Sequence, residues 1–220
     1  MNLLAIDAST DYSSVAIQVG EVLLCEELSS QKTHAQLLLP LIEQLFKKAQ
    51  IEVQDLDGIV FGQGPGSFTG LRIACSIAKG LAYPYNIPLI PVSGLGAITY
   101  AAREQVADAP VLAVLDARMQ EMYWGFFPEN VLIVEDRVNA AQDIQIPATE
   151  EIVLAGVGID LYWADFTRQL KSQISLKLNL FPRATDMIHL AQQEKIKSVL
   201  VADAQPVYVR NQVTQGDSRG

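Results

Sequence analysis

Apolar residues along this chain change their spacing several times, and each change marks a predicted element. An apolar run at 3–6 ends in Asp7, a polar stretch covers 8–14, and VAIQVG and EVLLCEEL follow. This pattern predicts consecutive β-strands with Gly20-Glu21 at a tight turn. Between Gln36 and Lys48, the positions Leu37, Leu38, Leu41, Ile42, Leu45 and Phe46 recur at helical spacing, with Thr33 as the expected N-cap. GIVFG (58–62) reads as a buried strand that runs into GQGPGSFTG (62–70) and then a helix over 70–83. Pro84 and Pro88 punctuate the exit, before a strand at 87–92 and a third helix over 95–106.

A polar, proline-ended break at 103–110 precedes VLAVLDARMQEMYWGFF (111–127). Here the chain begins to repeat itself. Leu4-Ala5-Ile6-Asp7-Ala8-Ser9 resembles Ala113-Val114-Leu115-Asp116-Ala117-Arg118, and each is followed by a second apolar strand, near Ser14 and near Tyr123. IVFGQGPG (59–66) finds its counterpart, in the same order, in IVLAGVGID (152–160). The pattern predicts an α/β protein of two similar lobes, 1–104 and 105–211, with a flexible tail at 212–220. A helix over 185–194, a strand at 198–203 and an extended exit at 206–210 complete the second lobe.

Composition narrows the function classes. Of 220 residues, 50% are hydrophobic, enough for a core that needs no covalent staple. Cys25 and Cys75 cannot form a four-thiolate zinc site, and both read as free thiols. A net charge of −9 argues against a chain whose affinity comes chiefly from phosphate-backbone contacts. No apolar run reaches the roughly 18 residues of a membrane helix, and Asp7 interrupts the only stretch placed like a signal peptide. A cytoplasmic location with no membrane partner is the expectation.

The chemistry-bearing strings are few. Gly62 to Arg72 (GQGPGSFTGLR) places four glycines between a strand and a helix N-terminus. It has neither the Gly-Lys-Ser/Thr of a P-loop nor the third glycine of the dinucleotide fingerprint. Two readings stay open: an anion site at the helix start, or a turn that packs tightly on another backbone. In the following helix Gly70, Ala74, Ala78 and Ala82 form a ridge of small residues suited to close packing, and Phe68 and Arg72 are interface anchors by type. Asp7 and Asp116 end equivalent strands and could together hold a hydrated Mg²⁺ under nucleotide phosphates, with Ser9 and Thr10 as phosphate donors. Each aspartate could equally cap its own turn. With only His34 and His189 in the chain, and Leu38 four residues after His34, no His-x-x-x-His metal pair exists.

Taken in order, LLAIDAST, Thr33-His34 before LLLPLI, GIVFGQGPGSFTGLRI, IPLIPVSGLGAI, VLAVLDARMQEMYWGFF and PVYVRN resemble the TsaB (YeaZ) family over about residues 1–211. The resemblance implies an actin/Hsp70/sugar-kinase-like (ribonuclease H-like) α/β fold, two lobes of one βββαβα plan with mixed central sheets and flanking helices. It also implies a non-catalytic subunit that activates threonylcarbamoyl transfer to adenosine 37 of ANN-decoding tRNAs. The implied partners are a metal-bearing TsaD-like homologue, a TsaE-like ATPase and, through the complex, tRNA, with a homodimer forming when the chain is alone. No cofactor of its own is implied, although ATP or ADP could sit at a complex interface. TsaD-like relatives carry the histidine pair that this chain lacks. Family contacts run through helices corresponding to about 36–49 and 70–83. The implied interface therefore includes His34, Leu38, Gly64, Pro65, Gly66, Ser67, Phe68, Thr69, Gly70, Arg72, Ala74 and Ala78. Two competing readings remain: a small ATP-dependent phosphotransferase or ATPase using Asp7 and Asp116, and a glycoprotease-like peptidase. Lobes of about 105 residues leave the first little room for two substrate pockets.

Overall fold

The computed structural model describes residues 1–29, 34–107, 109–147, 151–194 and 196–210, with only the backbone described at 34–36. Two five-stranded sheets form its frame. The first runs β3 (Val22–Ser29), β2 (Tyr12–Val19), β1 (Asn2–Asp7), β4 (Gly58–Gly64), β5 (Leu89–Ser93). The second runs β8 (Arg137–Ala140), β7 (Glu121–Phe127), β6 (Val111–Asp116), β9 (Ile152–Gly156), β10 (Ile174–Asn179). In each sheet the first three strands form an antiparallel meander, and the fourth and fifth run parallel to the first. The repeat seen in the sequence is thus a repeat of strand order and direction.

The central strands are continuously apolar because both faces of each sheet are covered. On one face of the first sheet, Leu4, Ile6, Ile59 and Phe61 pack under α1 (His34–Ala49) and α2 (Phe68–Ala82). On the other face, Leu3, Ala5 and Val60 meet Met187, Ile188 and Leu190 of α6 (Ala184–Gln193). Caps place the helices. Ser67 Oγ accepts from Gly70 N–H at the start of α2, and Ser93 Oγ accepts from Gly96 N–H at the start of α3 (Gly94–Arg103), each at 3.3 Å.

The lobes exchange their last helices. From the first sheet, α3 crosses to pack Leu95, Ile98 and Ala102 against Val111, Ala113, Val153 and Ala155 of the second. In return, α6 leaves the second sheet for the first. Beyond it, Val199 makes an antiparallel bridge to Leu89, and Ala204 joins the core of the first sheet. The segment from Val199 to Ala204 therefore packs with the first lobe, although it follows the second in the chain. The strand expected at 198–203 is only that single bridge, because one residue pairs before a turn at 201–203 takes over. Strands β8 and β10 and the short helices α4 (Ile159–Tyr162) and α5 (Arg168–Gln173) were not anticipated. Thr33 and the tail at 212–220 lie outside the described residues. Among those residues, no helix is long and apolar enough to cross a membrane.

Candidate functional site

The glycine string is settled by close approaches. Strand β4 delivers it onto the turn between β1 and β2, where Ser67 N–H donates to Ser9 O at 2.6 Å. A Cβ on Gly66 would overlap that same carbonyl, and one on Gly70 would overlap the carbonyl of Ala8. Gly62 lies equally close over the Asp7 carboxylate. Glycine is required at 66 and 70 because backbone meets backbone there, which supports the packing reading, while Gly66, Ser67 and Thr69 also line the interlobe cleft.

That packing seals Asp7. Its Oδ2 accepts from Ser9 N–H at 3.2 Å and from the Ser9 hydroxyl at 2.9 Å, while Oδ1 is buried with no hydrogen-bond partner among the described residues. Burial pushes the carboxyl up to about 7 against the opposing pull of the Ser9 hydrogen bonds. The Thr10 hydroxyl is also occupied, donating to Tyr12 O at 2.9 Å and accepting from Tyr12 N–H at 3.1 Å. Asp116, by contrast, lines an interlobe cleft of about 480 Å³ together with Thr10, Ser67, Thr69, Arg118 and Arg210. There Asp116 accepts from Arg118 N–H at 2.7 Å and from the Tyr162 hydroxyl at 2.8 Å, and it pairs with the Arg118 guanidinium at 3.1 Å. The expected pair of open carboxylates is therefore corrected to one sealed and one open. Of the four candidates, Ser9, Thr10 and Asp116 line the interlobe cleft together with Arg118 and Arg210, whereas Asp7 is buried outside its lining.

The helices require a second correction. Leu38 is fully buried with Ile42 and Leu45 beneath α1, and Ala74 and Ala78 face the same core beneath α2. With Gly70 seated on Ala8, the small-residue ridge packs α2 onto its own sheet and shows none of itself to a partner. The side chain of His34 lies outside the described residues. What α2 turns outward is Phe68, Thr69, Arg72, Ile73, Ser76 and Ile77, which with Leu39 of α1 line an apolar groove of about 430 Å³. Phe68 is 53% and Leu39 50% exposed. The Arg72 guanidinium stacks on the Phe68 ring at 3.6 Å from its centroid. Leu39, Ile73, Ser76 and Ile77 escaped the sequence reading. For Ile73, Ser76 and Ile77 the available signal was phase: they fall beside the buried stripe of α2, on the arc that also carries Phe68 and Arg72.

Two lobes of one strand order, helices on both faces and a cleft between them define a protein of the actin-like α/β class. The sequence model of the family described as TsaD, tRNA N6-adenosine threonylcarbamoyltransferase, matches residues 23–212. The chain is 33% identical to the tRNA threonylcarbamoyladenosine biosynthesis protein TsaB of Haemophilus influenzae, over 97% of this chain and 95% of that one. It is 34% identical to the protein of the same name in Escherichia coli, over 97% and 96%. Among solved structures, YeaZ from Pseudomonas aeruginosa superposes with a TM-score of 0.86 at 31% identity, covering 94% of this chain and 99% of that one. The chain belongs to the TsaB (YeaZ) family.

Proposed function

We propose that this chain serves threonylcarbamoyladenosine biosynthesis on tRNA as a non-catalytic subunit that docks a metal-bearing TsaD-like homologue in the groove between α1 and α2. The observation that carries this reading is the groove itself: an apolar concavity with an exposed Phe–Arg stack on the outer face of α2. Exposed apolar surface of this kind marks interaction sites, and aromatic and arginine side chains are the usual anchors. The non-catalytic part rests on Leu38: where a second histidine would complete a metal pair with His34, a core leucine stands. The acidic balance fits a subunit that leaves tRNA contacts to others. In this reading a TsaE-like ATPase joins the complex, any ATP or ADP binds at a subunit interface, and the same groove forms a homodimer when the partner is absent. The sealed state of Asp7 counts against the phosphotransferase alternative.

The test is reconstitution of threonylcarbamoyl transfer to tRNA from purified TsaD-like subunit, TsaE-like ATPase and the threonylcarbamoyl-adenylate donor. Omitting this chain, or supplying Leu39→Asp, is expected to abolish modification, and the chain alone is expected to have no activity. Full modification without the chain, or by the chain alone, would sink the proposal.

A further inference from the structure

The docking groove has a support on its far side. After α6 the chain returns along α2, where the Lys79 ammonium donates to Ala204 O at 3.0 Å. It then crosses the end of β4, where Val207 N–H donates to Gln63 O at 2.8 Å. At the crossing stands Gly64, with φ +123°, and a Cβ there would sit 2.8 Å from the Val207 carbonyl oxygen. Tyr208 then lies against the groove's two anchors. Its ring centroid is 5.3 Å from that of Phe68, and Arg72 Nε–H donates to its hydroxyl at 2.9 Å. Two residues later, Arg210 pairs with Glu121 and donates to Ala117 O at 3.3 Å, which fastens the segment to the second lobe.

The geometry points to residues 206–210 as a strap that positions Phe68 and Arg72 for the partner. An exposed phenylalanine and arginine at a helix start would otherwise sample several rotamers, and docking would have to order them. Holding Phe68, Arg72 and Tyr208 as one stack, with both ends of the strap anchored, removes that ordering from the binding step. Tyr208 is thus a positioning residue that acts through the two anchors. The inference rests on the docking reading above, which supplies the partner: a TsaD-like protein presenting an apolar surface with an acceptor for the Arg72 guanidinium.

The experiment is calorimetric titration of the full chain and its variants with the TsaD-like subunit of the same organism. Phe68→Ala is expected to weaken binding at least about thirtyfold, as loss of a central anchor does. Tyr208→Ala is expected to weaken it about tenfold alone, and clearly less than that on top of Phe68→Ala, because in that background only its hold on Arg72 is left to lose. Tyr208→Phe, which keeps the ring and loses only the Arg72 hydrogen bond, is expected to restore affinity to within about threefold of the parent. Wild-type affinity in Tyr208→Ala, or losses that simply add in the double variant, would overturn the strap while leaving the docking reading intact. Wild-type affinity in Phe68→Ala would overturn the docking reading and the strap with it. If Tyr208→Ala does not fold, the test passes to Tyr208→Phe combined with Glu121→Gln, which frees the strap's far end. That pair is expected to bind at least about threefold more weakly, and unchanged affinity overturns the strap.

Discussion

Asp7 and Asp116 end equivalent strands of equivalent sheets, β1 and β6, yet they live in opposite surroundings. Asp7 is sealed beneath Gly62, with one oxygen lacking a partner among the described residues and its acidity weakened by burial. Asp116 borders the cleft with both oxygens engaged by Arg118 and Tyr162. The helices differ in the same sense. The first lobe covers its sheet with α1 of 16 residues and α2 of 15, whereas the described residues between β8 and β9 carry only a three-residue 3₁₀ turn, 141–143. After β9 come α4 of 4 residues and α5 of 6 in place of one long helix. The scaffold has been kept twice, while the apolar groove between two long helices has been built once, on the lobe whose carboxylate is closed.

The largest expected effect lies where that closure is made. Gly70→Val drives a side chain into the Ala8 carbonyl and should cost more than about 4 kcal/mol of stability, read by denaturant unfolding. Tolerance of valine would mean that the glycine loop does not pack as described. The next effect is on pH dependence. Folding raises the Asp7 carboxyl to about 7, so the native state holds a proton that the unfolded chain has released, and stability falls as pH rises from about 4 to 7. Asp136, hydrogen-bonded to Ser93 and also raised to about 7 by burial, adds to the same slope. Asp7→Asn should match the parent near pH 4 and exceed it at pH 8 by a few kcal/mol, on the order of 3. Parallel stability–pH curves for the two proteins would contradict a sealed Asp7.

Smaller effects divide the two faces of α1. Leu38→Ala opens a cavity under the helix and should cost about 3 kcal/mol while leaving partner affinity unchanged in the folded fraction. Leu39→Ala should shift stability by less than about 0.5 kcal/mol and still weaken the partner complex. If the two residues exchanged these roles, the helix would face the other way.

These contrasts also show what was legible in the sequence. The doubled strand-plus-Asp string and the helical spacing of 37–46 record backbone periodicity, and the sheets and α1 follow from it. The same pattern could not distinguish Leu38 from Leu39, since Leu37, Leu38 and Leu39 are all apolar and only the fold's phase buries the middle one. Nor could it tell Asp7 from Asp116: both end a strand before alanine, and only the glycine loop arriving from β4 separates them. The exchange of α3 and α6 was hidden because an apolar stripe states that a face is buried, not which sheet buries it. Strand β10 does alternate, with Ile174, Leu176 and Leu178 between Ser175, Lys177 and Asn179, but it is short and mostly exposed, and that local signal was passed over.

The central claim is that the groove of the first lobe, rather than the cleft between lobes, is the surface this chain works with. Its most direct test is the affinity of Leu39→Asp and of Asp116→Asn for the TsaD-like subunit, titrated side by side with the parent chain. The account predicts at least about a hundredfold loss for Leu39→Asp, a charge placed in an apolar interface, and a change within about threefold for Asp116→Asn. Parental affinity for Leu39→Asp together with abolished binding for Asp116→Asn would contradict it.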